Sequence, residues 1–281
     1  MSQKKFPRKS PWPTGVPPKE TRKELKYYGS AACLALWQRR PHDVIRIYLE
    51  EARLPQFAAM LKWAAAQRKA YHIVGADDLE KLTDSVHHQG VCVLARERIA
   101  LSFNEWLPLL RDEADPQLLL YLDGVENPHN LGALLRTCAH FGIRYVLGTA
   151  DRLPKLSPSA CRVAEGGAEQ VMLVYLPQAA RQLRQLQEMG YQLLGTSVRQ
   201  GTPLYAHHFG ARSILILGSE VDGVAPPLAK SADALLTVPG SGLVESLNVS
   251  VAFGVMVGEY FRQQGARPIV KAPRTPPGRR R

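Results

Sequence analysis

Between Gln117 and Gln264 the chain repeats one alternation: a short unbroken apolar run, then a segment with helical spacing. "LLLYLDGV" leads to "NLGALLRTCAHFG", then "IRYVLGT", "SPSACRVAEGGAE", "VMLVYL" and "PQAARQLRQLQEMG", the last closing on a glycine suited to a helix C-terminus. "YQLLGTSV", "SILILGSE" and "ALLTVPG" add three more apolar runs, and a last helix is expected over Ser246 to Gln264. A strand with one wet face alternates apolar and polar residues, whereas a strand apolar throughout must be covered on both faces. Such strands separated by helices predict an α/β fold, a parallel sheet with helices on both faces. Ligands of such sheets bind where the carboxyl ends of strands run into loops.

A smaller α/β unit precedes it, over residues 24–98. It reads as helix "SAACLALWQRR" with Ser30 as N-cap, strand "DVIRIYLEE", amphipathic helix "LPQFAAMLKWAAAQRKA", strand "YHIVG", short helix "ADDLEKLTD" and strand "GVCVLARE". Residues 99–116, mixed and ending in charges, read as a linker to a second domain over 117–265. The flanks differ in kind. Residues 1–23 carry seven Lys/Arg against one Glu, and 267–281 carry six with no acid; of the net charge of +11, each end supplies +6. These Pro-rich tails, 1–23 and 266–281, read as disordered arms drawn to phosphate backbones, with a merely solubilising role as the alternative.

Several classes are excluded. No apolar run approaches the roughly 20 residues needed to cross a bilayer, and "MSQKKFPRKS" lacks the apolar core of a signal peptide. Cys33, Cys92, Cys138 and Cys161 lie far apart, with no CxxC pair and no His at zinc-finger spacing. They read as small buried residues of a cytoplasmic protein without structural metal. GxGxxG after the first strand, GxxxxGK[ST] and GxSxG are absent, so dinucleotide, phosphate-cradling and serine-hydrolase sites find no support.

What remains is at the strand ends. "LLGTSVRQG", "LILGSEVDG" and "LTVPGSGLVES" each end an apolar strand in glycines and small polar residues. Glycine lets main-chain groups approach a ligand without a Cβ between them, so the three loops together point to a small-molecule site. In "DGVENPHNLGALLRT", Asn130 is placed to cap the following helix, and Arg136 stands among Leu134, Leu135 and Cys138. A guanidinium there suits a phosphate, with a structural ion pair as the alternative.

"ENPHNLGALLRTCAHFGI", "LILGSEVDGV" and "VPGSGLVESLNVSVAFGV" resemble, in this order, the three motifs of the SpoU (TrmH-like) class of SPOUT RNA methyltransferases. The leading unit resembles the L30e-like RNA-binding domain that precedes many of them. The resemblance implies a C-terminal trefoil knot, a homodimer, bound S-adenosyl-L-methionine, and methyl transfer to a ribose 2′-hydroxyl of RNA, ribosomal more than transfer RNA. Carried over by motif, Asn130, Arg136, Glu220, Ser246 and Asn248 are the catalytic candidates. Thr196, Gly218, Val238, Gly242 and Leu247 are the cofactor contacts. Two positions depart from the family pattern: Gly240 stands where Met is common, and Ala164 where Ser is frequent. A guanidinium with a pKa above roughly 12 is a poor resting base, so Arg136 is expected to hold a phosphate and acidify the hydroxyl. His129, beside Asn130, is a further candidate base. The rival readings are a knotted RNA-binding or ribosome-assembly protein without activity, and a relative that modifies a base.

Overall fold

Residues 22–111, 117–198 and 200–265 are described by the computed structural model. Most of both basic tails therefore lies outside the described residues. The small domain contains β1 (Glu24–Tyr28), α1 (Ser30–Arg39), β2 (Val44–Leu49), α2 (Leu54–Ala66), β3 (Ala70–Ile73), α3 (Ala76–Thr83) and β4 (Val91–Arg96). Its sheet runs β1-β4-β2-β3, with β1 and β2 antiparallel to β4 and β3 parallel to β2. Strand β1, "ELKYY", has no apolar run to announce it. Its order comes from pairing Glu24 through Tyr28 against Arg96 through Cys92 at the far end of the domain.

The expected Ser30 cap is not present. Gly29, at φ 90°, occupies the cap position with no side-chain bond. The Ser30 N–H donates instead to Gln89 Oε1 at 2.9 Å.

Residues 101–111 of the stretch read as a linker are built into the next domain. Leu101–Ser102 forms β5, an edge strand, and Phe103–Arg111 forms α4, whose Phe103, Trp106 and Leu110 are buried. Then follow β6 (Gln117–Asp123), α5 (Pro128–Phe141), β7 (Tyr145–Gly148), α6 (Pro158–Val163), β8 (Met172–Tyr175), α7 (Ala179–Glu188), β9 (Gln192–Thr196), β10 (Thr202–Pro203), β11 (Arg212–Gly218), α8 (Pro226–Ser231), β12 (Ala234–Thr237) and α9 (Val249–Gln264). The eight strands order as β10-β12-β9-β11-β6-β7-β8-β5, every pair parallel.

Alternate residues of one strand serve opposite faces. Leu118, Leu120 and Leu122 of β6 join one core with Leu131, Leu134 and Phe253 from α5 and α9. Leu119 and Tyr121 join the other, with Trp106 of α4 and Leu183 of α7. This two-sided burial is why the strands read as unbroken apolar runs.

The first core continues into the small domain through Tyr27, Cys33, Cys161 and Ala168. A buried polar hub joins the domains beside it. Arg40 forks onto Glu169 at 3.0 Å, stacks 5.0 Å above the Tyr27 ring and donates to the Arg96 carbonyl. Asp43 accepts from Arg22 at 2.5 Å and Arg40 at 3.4 Å, so Arg22 packs with the domain and not with the tail. Burial pulls the Arg40 guanidinium down, but Glu169 and Tyr27 together outweigh it and hold it above its usual range. Burial likewise raises the Asp43 carboxyl, and Arg22 and Arg40 more than offset it, leaving it below the ordinary carboxylate range. The four cysteines are buried and free, and burial pushes the Cys92 and Cys161 thiols up to about 12.

Candidate active site and cofactor cleft

Strands β9, β11 and β12 are neighbours in the sheet, and their carboxyl ends open into a cleft of about 770 Å³. That size falls within the usual range for small-molecule sites. Thr196, Gly218, Val238, Gly242 and Leu247 all line it, as do Glu220 and Ser246. Apolar side chains of Leu217, Val249 and Met256 floor it, and the loop after β12 forms an exposed wall.

The glycines act in different ways. A Cβ on Gly218 would overlap the peptide of Gly223, where the loop folds back and bridges Ser219 to Gly223. Gly218 thus makes room for its own chain, not for a ligand. Gly240 and Gly242 have no other atom within 4 Å of where a Cβ would stand, and Gly242 has φ +79°. These two leave peptide groups open to the cleft.

At the cleft's edge three distant motif residues join. Asn130 Nδ2 donates to Glu220 Oε1, and Asn248 Nδ2 donates to Asn130 Oδ1 at 3.0 Å. Asn248 Oδ1 in turn accepts from the Ser250 N–H at 2.9 Å and the Ser250 hydroxyl at 2.6 Å. Helix α5, the loop after β11 and the start of α9 are therefore tied through one buried amide, Asn130, which is 7% exposed. The caps differ from expectation by a few residues. Asn127, accepting from the His129 N–H at 2.8 Å, caps α5, while Asn130 is free to face the site. Helix α9 begins at Val249 with Asn248 as its cap, not at Ser246.

The other candidates are not drawn into this network. Arg136 is exposed on α5 and pairs with no described residue. Ser246 lines the cleft, exposed, without a hydrogen bond to a described residue. His129 is exposed, and only its main chain is engaged. Ala164 is 1% exposed at the end of α6 and belongs to the core, whereas Gly240 lines the cleft.

Sequence reasoning missed Asp123. It ends β6 1% exposed, accepts from the Ala225 N–H at 2.7 Å and pairs with Arg152 at 3.1 Å. It thereby anchors the far end of the loop that carries Glu220. The signal was a lone carboxylate closing an apolar strand, "LLLYLD".

Residues 117–258 match the model of the SpoU rRNA Methylase family, and residues 28–98 match that of the RNA 2′-O ribose methyltransferase substrate-binding domain. The chain belongs to the SpoU rRNA methylase family. Among its SpoU relatives, an uncharacterized tRNA/rRNA methyltransferase YfiF of Escherichia coli O157:H7 is 38% identical over 244 residues, covering 86% of this chain and 69% of that one. The 23S rRNA (guanosine-2′-O-)-methyltransferase RlmB of Yersinia pestis is 34% identical over 244 residues, covering 85% and 98%. Among solved structures, the SpoU methyltransferase AviRb of Streptomyces viridochromogenes in complex with AdoMet shares the fold at a TM-score of 0.69 and 18% identity. It covers 87% of this chain and 92% of its own. In this SpoU chain the hydrogen-bonded line Glu220–Asn130–Asn248 draws one residue from each of the three motif segments.

Proposed function

We propose that this chain methylates a ribose 2′-hydroxyl of RNA, with S-adenosylmethionine as methyl donor and ribosomal RNA as substrate class. The observation that carries the reading is the line of Glu220, Asn130 and Asn248 at the edge of a cleft with open peptide walls. The cleft suits the cofactor by its chemistry. Leu217, Val238 and Leu247 offer apolar contact to a purine, Gly240 and Gly242 expose peptide donors and acceptors, and Glu220 supplies negative charge toward a cationic sulfonium. S-adenosylmethionine supplies an electrophilic methyl group.

The protein's own task is to aim the hydroxyl and ease its deprotonation. Asn130, held at both ends of its amide, is the fixed point against which a ribose is oriented. Arg136, permanently charged, holds a substrate phosphate and lowers the hydroxyl pKa, and the proton leaves to a neighbour or solvent. Ser246, exposed at the cleft, is available to the incoming nucleotide.

The reading includes a cytoplasmic homodimer with the C-terminal segment threaded as a trefoil knot. Val221, Leu243, Val244 and Val251 are 92%, 88%, 72% and 53% exposed around the cleft and the start of α9, a face that a second copy would cover. Among the described residues no helix is long and apolar enough to cross a membrane, and no cluster of metal-ligating side chains occurs.

Calorimetry with S-adenosylmethionine and tritium transfer to ribosomal RNA test the reading. Binding with 2′-O-methylation supports it, whereas no cofactor binding favours the inactive RNA-binding rival. Arg136→Ala should lose most turnover with cofactor affinity unchanged; retained turnover removes Arg136 from the mechanism.

A further inference from the structure

The side of the small domain's sheet that faces α2 is occupied, and on the other side Tyr28 and Cys92 are buried while α3 lies against β1 and β4. Ile47 and Leu49 of β2 and Val91 and Val93 of β4, all 0% exposed, pack with Phe57 and Met60 of α2. Residues between them point the other way. There the β2–β3 register sets Tyr48 beside His72, with ring centroids 5.3 Å apart and planes 20° apart. Arg46, one pleat earlier on the same face, donates from Nη1 to the Tyr48 hydroxyl at 3.3 Å. His72 and Arg46 are exposed and Tyr48 is half-buried. Lys26, exposed, lies in Arg46's row across Leu94, two strands and roughly 10 Å away.

Burying apolar surface does not explain this arrangement, because all four residues of edge strand β3 are exposed. A flat imidazole with one face on a tyrosine and the other turned to solvent, beside two cations, is what a nucleobase and its phosphates need. The acids nearby are Glu24, opposite Arg96 on the same face, and Asp77, Asp78 and Glu80 on α3. Among the strand residues of this face, Lys26, Arg46 and Arg96 outnumber Glu24.

We propose that this sheet face binds unpaired RNA nucleotides, one base stacking on His72 and the adjoining phosphates meeting Arg46 and Lys26. The proposal rests on the RNA-methyltransferase reading and assigns to particular residues the substrate contact of the small domain.

The test uses the full chain and two fluorescein-labelled probes, a short oligouridylate and a blunt RNA duplex, by polarisation at several salt concentrations. His72→Ala should weaken oligouridylate binding by about fivefold or more and leave the duplex unchanged. His72→Phe should restore it, since stacking needs only a ring. Arg46→Ala should weaken both probes and lower the salt slope by about one. Cross-linking with 4-thiouridine should capture peptides containing Tyr48 or His72. The proposal fails if His72→Ala binds oligouridylate like the parent protein, if His72→Ala weakens the two probes equally, or if cross-links fall only outside residues 24–96. S-adenosylmethionine binding, measured on the same variants, separates the two ideas. Intact cofactor binding with any of these failures overturns only the stacking surface, while absence of cofactor binding in the parent overturns the enzyme reading.

Discussion

Asn248 uses both ends of its amide: the oxygen caps α9 through Ser250, and the nitrogen reaches back to Asn130. Capping is a task that serine performs as well, but the reach to Asn130 needs the longer amide. Asn248→Ser should therefore keep the melting temperature nearly unchanged and lower methyl transfer about a hundredfold, the usual cost of a misplaced reacting group. Asn248→Ala should lose both, with about 1 kcal/mol of stability gone with the cap. Thermal melts and single-turnover assays read the two effects separately, and equal activity of Asn248→Ser and the parent would sink the assignment.

The glycines divide on the same physical ground. Gly218→Ala forces a methyl into the Gly223 peptide and should cost about 3 kcal/mol, together with cofactor binding. Gly240→Ala meets open space and should leave folding untouched. Chemical denaturation of the two variants tests the contrast.

Among the elements, the joint between the domains carries the clearest consequence. Arg40 and Glu169 face each other at 3.0 Å with side chains 8% and 5% exposed. Breaking such a pair leaves a buried charge without its partner, a loss of about 3–5 kcal/mol. Glu169→Gln should show a loss of that order by urea denaturation. The double replacement Arg40→Met with Glu169→Leu should cost much less, because it removes both charges. A double variant as unstable as the single would mean that the hub's other bonds dominate. The α4 segment belongs to the same scale of organisation. Phe103, Trp106 and Leu110 recur at helical spacing in the sequence, but the charged end of the segment masks that pattern until the helix is seen packed beside β5 and β8 at the edge of the sheet.

For the whole molecule, acid stability follows from the same joint. The Asp43 carboxyl is lowered in the folded protein by Arg22 and Arg40. A group lowered in this way stabilises fully above its unfolded value, roughly 3.9, and that contribution is lost as the pH falls through the folded value. The melting temperature of the parent should accordingly drop more steeply below about pH 4 than that of Asp43→Asn. Parallel slopes for the two proteins would remove Asp43 from the acid response.

Most of the architecture was legible because it depends on periodicity. Strands covered on both sides must be apolar throughout, and the helices between them keep their own spacing, so the parallel sheet and most of its elements could be read from residues 117 to 264, while β5, α4, β10 and α8 were not. The glycine-rich strand ends and the three motif segments located the cleft and named Asn130, Glu220 and Asn248. Residues joined only through space stayed hidden. Strand β1 exists by virtue of β4, and Asp123 matters through Ala225 and Arg152, more than a hundred and about thirty residues away. Gly218 serves its own returning loop, and Arg136 and Ser246, equal to the others as motif positions, remain outside the hydrogen-bonded line. Local pattern records which face of an element must be dry. Only the tertiary structure decides which distant side chains meet there, because those contacts depend on how the layers are stacked and not on the order of residues within any one of them.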